Sequence, residues 1–323
     1  MNLLCFSLIT VARCEVSTNT SPGRLFQFKF DPQKPLVYTV DYKTRTVRDV
    51  HSGQRSSLTS DSVDTRYKFR LSASGTNQDG TTAVYYEPFD FEQDIQSAGP
   101  GGETDTTIRG LTIVGKQNGV VVIDTEKGVG ISQSQNLKQA VYPHLLTGYF
   151  DFDPTGKIQK SEGDMPFIDT WHNNLKYTKA LFYFTFPTNA IAVQDSWTNY
   201  VIVKTSGGMV VNGEGIIQPW VISREPDQTA SNSLIANFTL SMYDNYKNIS
   251  GRIDQLGQQT SVAIPAHNEY INATFQFDQK SGWLTAMKKS ETTHDDFSMI
   301  VQGNSTESHI DISADISITL ISP

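Results

Sequence analysis

The sequence predicts a β-dominated α+β protein, with two similar halves of long, curved antiparallel sheet and one or two packed helices. Three observations support this class: apolar and polar residues alternate over long stretches, β-branched and aromatic residues are abundant, and turn dipeptides separate the stretches. Hydrophobic residues make up 37% of the 323 residues and charged residues 19%. This composition supplies a core and is too poor in charge for a disordered chain.

Period-two alternation is clearest in residues 36–50, where Tyr38, Val40 and Tyr42 share one face. Asn118-Gly119 separates two further candidate strands, and this dipeptide is the strongest short signal for a hairpin. The same pattern predicts the other strands at 66–73, 83–91, 106–114, 120–124, 197–205, 209–215, 216–223, 234–243, 261–264, 270–278, 283–289, 297–302 and 309–321.

Two segments have the pattern of a helix. Residues 132–141 carry Leu137 on an apolar face and end before Pro143, which cannot continue a helix. Residues 164–182 begin with Asp164, a good N-cap, and repeat aromatic residues near helical spacing. We therefore expect one or two helices to pack on the sheet.

The chain divides into three predicted segments: an export signal and flexible leader at 1–22, a first β-rich half at 23–186, and a second at 187–323. A short internal repeat supports the two halves, because residues 149–158 match residues 274–284. Each copy reads as a strand, an Asp-containing turn, a glycine and a second strand. The repeat predicts two related units.

Both cysteines, Cys5 and Cys14, lie near the N-terminus. Residues 3–12 are apolar and about as long as the core of a signal peptide. Residues 11–14 resemble a bacterial lipobox, so Cys14 is a candidate lipidation site, and a plain export signal cut near Cys14 is the alternative. We expect a secreted, periplasmic or cell-envelope protein that contacts a membrane only through such an anchor.

Several classes of site are excluded from the folded body. No cysteine follows Cys14, so a disulfide, a thiol nucleophile, an iron–sulfur site and a Cys-based zinc site are ruled out there. The net charge of −8 argues against nucleic acid as a partner. No stretch approaches the ~20 apolar residues that a membrane helix needs.

The loop from Asp151 to Glu162 has the ligand spacing of an EF-hand calcium loop. Asp151, Asp153, Thr155 and Glu162 supply oxygen atoms at its first, third, fifth and twelfth positions. Calcium is therefore a candidate ion, and no other cofactor is predicted. A plain hairpin turn is the alternative, since Pro154 lies inside the loop and the second copy of the repeat keeps only part of the ligand set.

A histidine-containing cluster gives a second candidate site. His294-Asp295-Asp296 resembles a fragment of a metal or acid–base site, and His309 and Asp311 could face the same side. The alternative is a polar loop between two strands. The chain lacks the Gly-x-Ser-x-Gly motif of a serine nucleophile, so no catalytic residue is assigned.

Aromatic side chains and glycosylation sequons complete the candidate surface features. Trp197, Trp220, Trp283 and the tyrosines could form a platform that stacks on sugars, although such rings more often fill a core. The Asn-x-Ser/Thr sequons, which matter only in a eukaryotic secretory pathway, begin at Asn19, Asn237, Asn248, Asn272 and Asn304.

Two motifs resemble an uncharacterised family of exported bacterial proteins, which are β-rich and often lipoprotein-like. One is the stretch from Phe186-Pro187 to Trp197, and the other is the hairpin around Asp278 and Gly282. The layout is also similar to that of half-barrel lipoprotein carriers, in which a curved antiparallel sheet wraps a helix. The resemblance implies two related halves and no established activity.

Three functional hypotheses follow. The first is an exported, non-enzymatic protein that binds an apolar small molecule or a protein partner on the concave, aromatic-lined face of the sheet. The second is a surface or envelope scaffold that assembles through sheet edges such as 309–321. The third, ranked last, is a metal-dependent hydrolase built around His294 and its neighbours together with Asp151 and Asp153.

Overall fold

The computed structural model describes residues 23–53, 55–130, 132, 147–163, 185–203, 216–226, 235–255, 258–301 and 304–322. Within these residues the protein is all β, with fourteen strands in one antiparallel sheet and no helical element. The predicted α+β class is therefore wrong. The helices predicted at 132–141 and 164–182 fall, apart from Ser132, outside the described residues, as do the leader 1–22 and the strand 209–215. None of the described residues belongs to a helix that could cross a membrane.

Seven of the strands have seventeen or more residues and the others are shorter. The long strands are β1 (Leu36–Ser52), β2 (Arg55–Thr76), β3 (Thr82–Gly99), β11 (Ile235–Gln255), β12 (Gln258–Asp278), β13 (Trp283–Val301) and β14 (Asn304–Ser322). The short strands are β4 (Gly102–Arg109), β5 (Thr112–Gln117), β6 (Val120–Asp124), β7 (Gly148–Phe152), β8 (Ile158–Gly163), β9 (Ser196–Val203) and β10 (Ile216–Arg224).

The strand order is β6-β5-β4-β3-β2-β1-β14-β13-β12-β11-β10-β9, so β1 and β14 join the two predicted halves in the middle of the sheet. Tyr42 lies opposite Ile316 in this pairing. The prediction that 309–321 is an exposed edge is wrong, because β14 pairs with β1 on one side and with β13 on the other. The division of the chain at 187 stays a prediction.

The sheet branches at β3. The C-terminal part of β3 pairs with β4, whereas its N-terminal part pairs with β7, which in turn pairs with β8. Asp90 lies between these parts with a φ of 52°, a left-handed conformation uncommon for a residue other than glycine. The Asn118-Gly119 hairpin is confirmed, with φ of 48° and 80°, the positive pair that a type I′ turn requires.

The core covers one face of the sheet, which we call the inner face. In β1 it carries Tyr38, Val40 and Tyr42, and the side chains between them point to the opposite, outer face. Segment 23–30 lies against the inner face, where Phe26 packs within 5.2–6.0 Å of the rings of Phe186, Phe238 and Phe277. These aromatic contacts tie the N-terminal segment to the sheet.

The long strands continue beyond the core. In β1 the alternation of buried and exposed side chains ends at Tyr42, and the remainder of the strand to Ser52 is at most half-buried on either face. Neither face is fully covered there, so apolar residues are replaced by Ser, Thr, Asp and His. The alternation of apolar and polar residues therefore disappears from the sequence. The sequence therefore predicted strands that are too short, and it split β12 and β13 into two strands each.

The two copies of the internal repeat form hairpin turns that contact the same segment. The backbone N–H of Phe28 donates to the carbonyl of Pro154 at 2.8 Å, and the N–H of Lys29 donates to the carbonyl of Gly282 at 3.1 Å. Gly156 and Gly282 have φ of 93° and 77°, which only glycine adopts readily. The repeat therefore places one turn at each side of segment 23–30.

Candidate ligand-binding site

A trough crosses the outer face in the middle of the sheet. It has a volume of about 670 Å³ and spans β1, β14, β13, β12 and β11. Strand register arranges its polar side chains in two neighbouring rows. We call these rows the polar trough: Asp41, Ser317, Lys288, Thr274 and Thr239 form the first, and Lys43, Asp315, Ser290, Asn272 and Ser241 form the second. Leu240, Ala273, Lys289 and Ile316, which lie between the rows with their side chains on the inner face, complete the lining.

The charges at one end of the polar trough are held by β2. Arg66 Nε lies 3.1 Å from Asp41 Oδ1, and Lys43 Nζ lies 3.6 Å from Asp64 Oδ2. These exposed pairs orient the side chains more than they stabilise the fold. Lys288 and Asp315, further along the trough, make no ion pair with any residue that the structure describes.

An exposed aromatic pair lies in the next row of the outer face. Tyr243 and Tyr270 stack across β11 and β12 with ring centroids 4.5 Å apart and an interplanar angle of 28°. Their exposed fractions are 51% and 50%. Asn245 Nδ2 donates to Tyr243 Oη and to Asn268 Oδ1, both at 2.9 Å, and so fixes the pair from the following row. The polar trough and the tyrosines form one continuous surface.

The tryptophans considered for a sugar-stacking platform pack in or against the core, as the alternation of their strands favoured. Trp220 and Trp283 are buried in the core, and Trp197 packs at its margin with its Nε1–H donating to the Thr185 carbonyl at 2.9 Å. The sequence grouped the tyrosines with the tryptophans and did not show which tyrosines are exposed. Tyr270 lies opposite Thr292, which lies opposite Ser313, so strand pairing places the tyrosines in the row next to the polar trough. This register distinguishes them, and it cannot be read without the strand pairing.

The histidine-containing cluster lies on the same face, beyond the tyrosines. Residues 294–296 belong to β13, so the polar-loop interpretation is wrong; His294, Asp296, His309 and Asp311 indeed share one side. His294 Nδ1 and Asp311 Oδ1 are 2.6 Å apart, as are His309 Nδ1 and Asp296 Oδ1. The hydrogen bond to Asp311 raises the pKa of His294.

The hydrolase hypothesis required Asp151 and Asp153 to meet His294. The β7–β8 turn lies near the start of β13 at Trp283, whereas His294 is far along the same strand, about 36 Å away at the rise of a β-strand, so the fold does not bring these groups together. Asp295 alternates to the face opposite to that of His294. Among the described residues, no three His, Cys, Asp or Glu side chains are arranged to hold a metal ion.

The candidate calcium loop is the hairpin turn between β7 and β8. Asp153 Oδ1 accepts hydrogen bonds from the N–H of Thr155 at 2.9 Å, from its hydroxyl at 2.6 Å and from the N–H of Lys157 at 3.1 Å. This carboxylate therefore stabilises the turn itself. The side chain of Glu162 lies outside the described residues, so calcium binding there stays a prediction.

A buried ion pair on the inner face was missed by sequence analysis. Lys289 Nζ lies 2.7 Å from Glu291 Oε2, and both side chains are almost fully buried. The Lys289 ammonium is also 5.9 Å from the ring centroid of Trp220. Charged residues in a polar stretch such as 288–296 give no sign of burial until the neighbouring strands are known.

Comparison with known proteins identifies no family: no family model matches the chain, and neither does any curated protein. Two crystal structures from Pseudomonas aeruginosa share 6% identity with it, OpdQ with a TM-score of 0.21 over 87% of this chain and 98% of that one, and OccK7 (OpdD) with 0.22 over 90% and 99%. The translocator domain of the autotransporter NalP from Neisseria meningitidis shares 7% identity, with a TM-score of 0.16 over 86% and 88%. Likeness at this level carries no argument about fold or function.

Proposed function

We propose that the chain is an exported, non-enzymatic protein of the cell envelope that binds a partner on the outer face of its sheet. The observation that supports this most directly is the polar trough, a concave surface of about 670 Å³ with side chains set by strand register. Export is supported by the apolar run at 3–12, and an envelope location by the candidate lipidation site at Cys14.

The proposed binding site lies on the outer face and not on the aromatic inner face that the sequence favoured. An apolar ligand would need the aromatic inner face, where Phe26, Phe28 and Phe186 already pack against Phe277 at 4.9–6.0 Å. The outer face instead offers hydroxyl, amide and charged groups beside the aliphatic carbons of its lysine and threonine side chains. It therefore suits a polar partner.

Native mass spectrometry of the protein, purified gently from its own host, tests this proposal. We expect an adduct on the wild-type chain that Ser290→Trp removes by filling the polar trough. Ser56→Trp, an exposed position of β2 far from the polar trough, is the matched control and should keep the adduct. An adduct that Ser290→Trp retains, or a chain that carries none, would contradict a binding site on the outer face.

A second candidate function is a scaffold that assembles through a sheet edge, now β6 rather than β14. Val120, Val121 and Val122 are all exposed on β6, which ends the described strand order. An exposed apolar edge strand is a template for pairing with another chain. Light scattering coupled to size-exclusion chromatography should then give the molar mass of an oligomer for the wild-type chain. Val121→Lys should give the mass of a monomer. Leu111→Lys, an exposed turn position, is the control, and a wild-type monomer at high concentration would contradict the scaffold.

A further inference from the structure

We infer that the polar trough and the stacked pair Tyr243–Tyr270 form a site for a neutral oligosaccharide. This inference rests on the proposed function and names the class of partner.

Recognition in the polar trough must use side chains. Its five strands, β1 and β11 to β14, each pair with neighbours on both sides, so their backbone N–H and C=O groups are engaged in the sheet. An extended peptide that adds a strand needs a free edge, and at the rows of the polar trough the described strands are paired on both sides, with β11 paired to β10 from Phe238 to Ser241. A ligand with many hydroxyl groups needs side-chain donors and acceptors instead, and the trough supplies them.

The charges of the polar trough sum to zero. Asp41 and Asp315 balance Lys43 and Lys288. A polyanion such as nucleic acid would meet repulsion from the two carboxylates without a cationic surplus. In a neutral sugar, adjacent hydroxyl groups can donate to a carboxylate and accept from an ammonium. Asp315 and Lys288, which form no ion pair among the described residues, are the groups best placed for both.

The tyrosine pair supplies the apolar contact that sugar rings need. Tyr243 and Tyr270 are one row from Ser241 and Asn272, about 7 Å along the strands. Exposed rings beside hydrogen-bonding groups combine stacking with orientation. Four strand spacings give the trough a length of about 19 Å, which suits a chain of several sugar units better than a single ring.

Isothermal titration calorimetry with maltohexaose, cellohexaose and chitohexaose tests the inference on the full folded chain. We expect at least one of these neutral probes to bind. Tyr270→Ala should weaken the affinity for that probe about tenfold, and Tyr270→Phe should keep the wild-type affinity. Asp315→Asn should also weaken it. Tyr149→Ala is the matched control, because Tyr149 is 51% exposed and pairs with Tyr85 at 4.9 Å away from the polar trough. Circular dichroism verifies that each variant is folded.

Several results would overturn the inference. These are failure of all three probes to bind, an equal loss in Tyr149→Ala, or competition by an unstructured peptide that displaces the bound sugar. If enzymatic deglycosylation lowers the intact mass of the wild-type chain but not that of Asn272→Gln, the chain's own glycan occupies the trough. This result would also overturn the inference. If Ser290→Trp removes a host adduct that contains no sugar, the oligosaccharide class is wrong while the proposed function stands.

Discussion

Individual side chains on the outer face are held by partners on neighbouring strands, and one such contact raises the pKa of His294. Its hydrogen bond to Asp311 raises its pKa because the carboxylate favours the imidazolium form, and Asp296 acts in the same direction. A raised pKa in the folded state contributes stability that is fully present below the unfolded value of about 6.5. That contribution is lost as pH rises through the raised folded value.

We therefore predict that Asp311→Asn lowers the pKa of His294 toward its ordinary value. The stability difference between wild type and this variant should be largest at acidic pH and should vanish in alkaline solution. NMR titration of the imidazole signals measures the pKa, and urea unfolding at several pH values measures the stability. Asp64→Asn, an exposed carboxylate on β2, is the control. An unchanged His294 pKa in Asp311→Asn would contradict the assignment.

At the same scale, Asp153 is predicted to stabilise its turn without any ion. Asp153→Ala removes three hydrogen bonds and should lower the free energy of unfolding by about 1–3 kcal/mol. Asp31→Ala, which loses the one bond from the N–H of Gln33, is the control and should cost less. Chemical denaturation gives both values, and equal losses would contradict this role.

Calcium binding to the same loop has a separate readout. If the EF-hand spacing of the sequence is functional, calcium should raise the Tm of the wild-type chain relative to a chelator, and Asp151→Ala should abolish that rise. Differential scanning calorimetry measures both. Identical Tm values with calcium and with chelator would leave the loop as a hairpin turn only.

At the scale of the elements, the contact between the β12–β13 turn and segment 23–30 depends on one glycine. A Cβ atom on Gly282 would lie 2.7 Å from Lys29 Cβ and 2.9 Å from its backbone nitrogen, and the φ of 77° is strained for alanine. Gly80 has a similar φ of 84° with nothing near its Cβ position. Comparing the same substitution at Gly282 and at Gly80 therefore distinguishes the effect of the close contact from the effect of backbone strain.

Gly282→Ala should therefore destabilise the fold more than Gly80→Ala, by about 1–3 kcal/mol beyond the cost of strain. It should also expose segment 23–30 to protease, since the segment must move to make room. Urea denaturation and limited proteolysis followed by mass spectrometry measure these effects. Equal stability of the two variants would show that the close contact is unimportant.

The elements also show what the sequence could predict. Where one face is buried, as in residues 36–42, the alternation of the sequence located the strand correctly. Where the strands extend past the core, as in 290–296 of β13, no apolar period exists, and the pairing with β12 and β14 defines the strand. The trough and the tyrosine pair could not be predicted for the same reason, because they depend on register between strands that are distant in sequence.

At the scale of the whole molecule, the N-terminal segment is predicted to be essential to the core. Phe26 is fully buried and packs against three phenylalanine rings and the Arg224 guanidinium, whose Cζ is 5.2 Å from its ring centroid. Phe26→Ala should lower the free energy of unfolding by about 3–5 kcal/mol. Leu25→Ala, at the neighbouring exposed position, should change it little.

Chemical denaturation monitored by circular dichroism measures both variants. A small loss in Phe26→Ala would mean that the sheet is stable without segment 23–30, and would contradict its place in the core. Topology of this kind was beyond prediction from the sequence, since nothing in 23–30 indicates which strands it covers. The seam between β1 and β14 was equally hidden, and the sequence placed β14 at an edge.

That seam has a consequence for how the protein folds. Thr39 Oγ1 donates to the carbonyl of Thr319, 280 residues further along the chain, whereas most other strand pairs are hairpins of near neighbours. Contacts of large sequence separation form late and slowly. A chain synthesised in N-to-C order presents the bare edge of β1 until β14 arrives, and an unpaired edge is prone to aggregate. Closure of the seam is therefore the step at which productive folding competes with self-association.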